Sequence, residues 1–169
     1  ICDVERQWNM LGACDKVDGP ESGRQCGCLS TVRLAPYHAI APAEVLRGPG
    51  AWLQGIPRLA ALGQRPLVLG RSAVTAQLRQ QLVADLHQAG LQPHCAELQY
   101  DCCEKDLQQV AAICQKQGCD AVVAIGGGKV LDAGKLLAHR LSLPCITVPT
   151  SAATCAGWTA LANIYSAEG

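Results

Sequence analysis

One stretch, AVVAIGGGKVLDAGKLL at residues 121–137, constrains this chain more than any other. Five consecutive apolar residues with no polar alternation predict a strand buried on both faces, as in the middle of a parallel sheet. Gly126, Gly127 and Gly128 end it, and a helical period begins at once at Lys129 and runs to Leu141. A strand that turns straight into a helix presents successive backbone N–H groups at the sheet's carboxyl edge, and glycines let a ligand approach them closely. The helix N-terminus adds roughly half a positive charge. Lys129 falls in that first turn, where a cation is unfavourable unless an anion is held nearby. The spacing is neither Gly-x-Gly-x-x-Gly nor Gly-x4-Gly-Lys-Ser/Thr, so neither standard phosphate fingerprint applies. Two readings stand at this point: an anion-binding loop, or a tight turn beside a solvated lysine. Asp132 reads as a helix-start carboxylate or as an anchor for the loop.

The surrounding text repeats the unit. Glu44–Arg47 predicts a short strand stopped by Gly48-Pro49-Gly50, and 52–62 a helix interrupted by Pro57. Pro66–Gly70 is a second unbroken apolar run. Ser72 can cap a helix with Val74, Leu78, Leu82, Leu86 and Ala89 on one face, closed by Gly90. Gln92–Leu98 reads as a strand. Glu104–Gln117 reads as a helix burying Leu107, Val110, Ala111 and Cys114, with Gly118 after it. Residues 144–149 form the last buried strand, and 159–166 an edge segment. Strands alternating with helices and no hairpin signals predict an α/β fold, a doubly wound parallel sheet.

Residues 1–33 carry no sustained period and read as a poorly ordered leader before a 34–169 α/β unit. The text stops at Gly169 in a turn, which reads as a point partway through a longer protein. Composition narrows the function. Lys+Arg and Asp+Glu are 14 each, so the charge-driven classes, nucleic-acid binders and polybasic membrane proteins, are disfavoured. No apolar run approaches the ~20 residues of a membrane span. Eleven cysteines, an odd number without paired Cys-x2-Cys spacing, predict reduced thiols and a cytoplasmic setting rather than disulfides or a zinc site.

A second constellation, TVPTSAATCAGWTALANIY at 147–165, follows the next strand and therefore sits at the same carboxyl edge. In open α/β sheets that edge is where ligands bind. Its small, hydroxyl-rich run from Thr150 to Thr154 suits close approach.

GGGKVLDAGK followed by VPTSAATCAGWTALANIY resembles the iron-containing, or group III, alcohol dehydrogenases. The similarity is to their glycerol dehydrogenase-like branch with its hydroxycarboxylate dehydrogenase relatives, and it spans about Ala43 to Gly169. The resemblance implies an N-terminal Rossmann-like domain that binds NAD or NADP, and a helical C-terminal domain with Zn or Fe that lies outside this chain. It implies hydride transfer between the nicotinamide and a small polyol or 2-hydroxy acid, in an enzyme expected to be a homo-oligomer when complete. Gly126, Gly127, Gly128 and Lys129 match the pyrophosphate loop, and Asp132 the acid that ends the motif. Thr150 and Ala153 match the adenosine side; Thr159, Leu161 and Tyr165 match the nicotinamide half. None of His38, His87, His94 and His139 matches a metal ligand of that family.

Two departures follow. Glycerol dehydrogenases carry an Asp where this chain has Cys155, and a thiol is a poorer acceptor for a polyol. Many NAD-preferring members carry an acid where this chain has Arg71, which is suited instead to a 2′-phosphate. Two other functions compete: a stand-alone nucleotide-binding module, and a sugar-phosphate cyclase of the dehydroquinate synthase type. The cyclase is disfavoured because TSAATCAGWTALANIY has no Lys-containing glycine-rich segment.

Overall fold

The computed structural model describes residues 42–166. Four helices and four strands follow in order: α1 (Ala51–Leu62), β1 (Pro66–Gly70), α2 (Ala76–Gln88), β2 (His94–Glu97), α3 (Glu104–Gln117), β3 (Ala121–Gly126), α4 (Gly128–Leu141) and β4 (Cys145–Pro149). A 3-10 turn, Ala73–Thr75, leads into α2. The strands form one parallel sheet in the order β2-β1-β3-β4. This is the expected doubly wound α/β architecture.

Side-chain alternation explains why both faces are covered. Leu67 and Leu69 of β1, with Val122 and Ala124 of β3, pack against Leu107 and Val110 of α3 and Leu131 and Leu137 of α4. Val68, Val123 and Ile125 point the other way, onto Ile56 and Leu59 of α1 and Leu82 and Leu86 of α2. The central strands β1 and β3 are buried at every residue, as unbroken apolar runs require. α3 keeps its expected bounds because Gly118 ends it in the left-handed conformation at φ 60°.

Five expectations are corrected. Glu44–Arg47 is irregular, not a strand: Leu46 packs on Gly55 of α1 instead of pairing with a sheet edge. Pro57 does not interrupt α1: it stands inside the helix, on its exposed side with Leu53. The stripe assigned to α2 fails at both ends, and its last member, Ala89, is exposed past the end of the helix. Val74 is 92% exposed and Leu78 44%, while Arg79 takes the inner position ahead of Leu82 and Leu86. The strand expected over Gln92–Leu98 is shortened to His94–Glu97, as Pro93 has no N–H for a ladder. Residues 159–166 form no edge strand; only Tyr165 bridges Cys103, its N–H donating to the Cys102 carbonyl at 2.8 Å. The leader, 1–33, and His38 lie outside the described residues.

Candidate functional site

The chain leaves β1 towards β2 and leaves β3 towards β4, in opposite directions along the sheet. The connections that leave these two carboxyl ends therefore diverge and open a crevice, the place where ligands sit in doubly wound sheets. A cleft of about 490 Å³ lies there. Arg71, Ser72, Val74 and Thr75 form one wall; Gly126 to Val130 form the other, with Thr150 from the loop after β4. Thr150 is tied to the glycine turn by its N–H, which donates to the Gly126 carbonyl at 3.0 Å.

The three glycines do different jobs. A Cβ on Gly126 would meet Val130 Cβ at 2.8 Å, and one on Gly128 would meet Thr154 Oγ1 at 2.9 Å. Those two let the turn close on its neighbours. A Cβ on Gly127 would touch nothing within 4 Å, and its φ of −82° suits any residue. Gly127 is instead the N-cap of α4, and no side chain caps that helix or places an acid in its first turn. An uncapped N-terminus opening on a cleft is suited to an anion.

Lys129 and Arg71 bring two cations to this cleft, from opposite walls. Both are held by Asp101, which comes from the loop between β2 and α3. Lys129 Nζ lies 2.5 Å from Asp101 Oδ2, and Arg71 Nη1 lies 2.8 Å from Asp101 Oδ1. The arginine contact is an ion pair without hydrogen-bond alignment, since Oδ1 is buried with no aligned donor. Lys129 also sits over the Tyr165 ring, 4.9 Å from its centroid.

Further along, α4 carries a buried ion pair. Lys135 Nζ lies 3.0 Å from Asp132 Oδ1, and both side chains are nearly inaccessible. Lys135 also donates to the carbonyls of Ala156 (2.9 Å), Thr159 (3.1 Å) and Leu161. One lysine thus pins the loop after β4 onto the helix. Next to it, burial first and the Asp132 charge second push the Cys102 thiol up to about 11.

The structure brings Arg71, Gly126, Gly127, Gly128, Lys129 and Thr150 together around the cleft. Tyr165 joins them through Lys129. Asp132 does not face the cleft but is paired with Lys135. Ala153, Cys155 and Leu161 are exposed on the loop after β4, and Thr159 is half-buried there; none lines the cleft. The sequence reading missed three residues. Asp101 carried no local signal. Lys135 did, as the second lysine of GGGKVLDAGK three positions after Asp132. Arg79 is buried and donates to the Ser72 carbonyl (2.9 Å), Thr75 Oγ1 (2.7 Å) and Glu97 (2.5 Å), fixing the Ser72–Thr75 wall.

The family model described as iron-containing alcohol dehydrogenase matches residues 42–169. The chain belongs to the iron-containing alcohol dehydrogenase family. An uncharacterized oxidoreductase of Synechocystis sp. is 44% identical over 132 residues, which are 78% of this chain and 34% of that protein. A glycerol dehydrogenase of Escherichia coli is 32% identical over 75% of this chain and 36% of its own length. Among solved structures, a probable glycerol dehydrogenase from Sinorhizobium meliloti superposes with a TM-score of 0.62 at 28% identity, over 71% of this chain and 32% of that one. The chain therefore spans about a third of the length of these relatives. The family match covers the whole cleft and both its walls. Among the described residues no helix is long and apolar enough to cross a membrane. Nor do three or more His, Cys, Asp or Glu side chains gather among them in a way that could hold a metal ion.

Proposed function

We propose that the cleft between β1 and β3 binds the pyrophosphate of NAD or NADP. The chain then serves as the cofactor-binding part of an oxidoreductase acting on a CH–OH group of a small polyol or 2-hydroxy acid. One observation carries this reading: an uncapped helix N-terminus and two cations from opposite walls converge on one cleft at the point where the sheet's winding reverses. The nicotinamide, when bound, supplies the hydride chemistry.

Each residue has a definite task in this reading. The Gly127 turn and the first N–H groups of α4 receive phosphate oxygens without a Cβ in the way. Lys129 offsets phosphate charge beside Tyr165. Thr150, held to Gly126, offers a hydroxyl at the rim. Lys135 keeps the carbonyls of Thr159 and Leu161 pointed at itself, so the loop that carries them has a fixed shape on which a nicotinamide half could rest. The glycerol dehydrogenases among the relatives suggest the substrate class, and Cys155 on that loop argues for a substrate less dependent on a carboxylate acceptor.

The test is Gly127→Val. Open space around that Cβ position predicts an unchanged melting temperature, with NADH and NADPH affinity reduced by about tenfold or more in calorimetric titration. Unchanged affinity in the folded variant would leave the loop as a turn and remove the cofactor assignment.

A further inference from the structure

We infer that Asp101 is a specificity-determining residue of the cleft: an internal counter-anion that occupies both cations and limits how much phosphate charge the cleft accepts. The inference rests on the dinucleotide reading of the same cleft and deepens it. Asp101 reaches from the β2–α3 loop to Arg71 on one wall and Lys129 on the other, at 2.8 and 2.5 Å. Two cations and one carboxylate leave a single net positive charge, to which the N-terminus of α4 adds its partial charge. The diphosphate bridge of a dinucleotide, esterified at both ends, carries two negative charges and can draw Lys129 from the carboxylate. A further phosphate on the ribose needs Arg71 as well.

That second exchange is disfavoured on two counts. It separates Arg71 from a carboxylate already in contact, and it leaves a phosphate beside an uncompensated Asp101. The Arg71 contact is the easier of the two to disturb sterically, because it lacks hydrogen-bond alignment, yet its electrostatic attraction persists at that distance. Arg71 by itself would favour NADPH; Arg71 held by Asp101 favours the cofactor without the extra phosphate. The side chains of Arg71 and Lys129 are 41% and 43% exposed, so salt screens the effect but both remain reachable by ligand.

The experiment is Asp101→Asn, which removes the charge and keeps the shape. Dissociation constants for inorganic pyrophosphate, NADH and NADPH are measured by calorimetry at low and high salt, with Asp101→Ala as a second charge-removing variant and Asp101→Glu as the charge-keeping control. Pyrophosphate should bind about three- to tenfold tighter in both charge-removing variants. NADPH should gain more than NADH, the gains should shrink in high salt, and Asp101→Glu should stay near wild type. Unchanged or weaker pyrophosphate binding, or equal gains for NADH and NADPH, overturns the inference. If wild type takes up pyrophosphate but neither dinucleotide, the dinucleotide reading fails, while the pyrophosphate arm still judges Asp101.

Discussion

The guanidinium end of Arg79 fills the space that a side chain on Gly70 would need. The last residue of β1 is therefore glycine for the sake of a neighbour, not of its own backbone. Passing over Gly70, Arg79 reaches the Ser72 carbonyl, Thr75 and Glu97, and so shapes one wall of the cleft.

Gly70→Ala should push Arg79 out of this place and destabilise the fold by about 1–3 kcal/mol, the usual cost of forcing extra volume into a packed site. Removing Arg79 first should relieve the clash. In an Arg79→Ala background the same glycine change should cost less than about 0.5 kcal/mol, giving a strong coupling in a double-mutant cycle by urea unfolding. Additive costs would show that the two residues do not share the space.

Gly134 poses the same problem with less freedom. A Cβ there would run into Ala124 Cβ, where α4 lies directly on β3. Neither methyl can rotate away, so Gly134→Ala should cost about 1–3 kcal/mol despite alanine's better helix propensity. Ala124→Gly in the same chain should recover part of that loss. No change in the urea midpoint for Gly134→Ala would contradict the close approach.

Lys135 is the fastening of the loop after β4. Lys135→Met strips three carbonyls of their donor and leaves Asp132 buried without its cation, a loss of about 3–5 kcal/mol. Asp132→Asn added to it should restore part of the stability by removing the stranded charge. Limited proteolysis should open the 156–161 loop in Lys135→Met before the sheet. A loop as resistant as in wild type would mean that packing alone holds it.

Local rules made much of the fold readable and left the charge network unreadable. Glu104–Gln117 and Ala121–Gly126 follow from apolar period and glycine punctuation, which act within a few residues. Arg79 breaks such a rule: a charged residue takes an inward position on α2, and its trace in the sequence is the glycine at 70. Asp101 leaves no trace, because its partners stand 30 and 28 residues away and are brought together by the sheet order alone. Asp132 and Lys135 stand at readable helical spacing. What the text hides is that the loop after β4 folds over them, so that a motif residue that looked directed at cofactor is instead the partner of the lysine that fastens this loop.

The buried thiols give a pH dependence with a definite sign. Burial, as the largest cause, pushes Cys102 up to about 11 and Cys114 up to about 12; a nearby Asp132 charge adds to the first and Cys119 to the second. An unfolded thiol ionises near 8.5, so below that both states hold the proton and these groups do not affect stability. Between about pH 9 and 12 the unfolded chain releases protons that the native state retains, which favours unfolding as pH rises. The urea midpoint should therefore fall steadily above pH 9, and less steeply in Cys102→Ala/Cys114→Ala measured against its own value at pH 7. Alkylation should follow the same order. At pH 8 the Cys102 thiol stays protonated in the folded protein, so iodoacetamide should modify exposed Cys155 well before Cys102 and Cys114, which it reaches only on unfolding. A flat midpoint from pH 8 to 11, or labelling of Cys102 in the native protein as fast as Cys155, would contradict this account of the thiols.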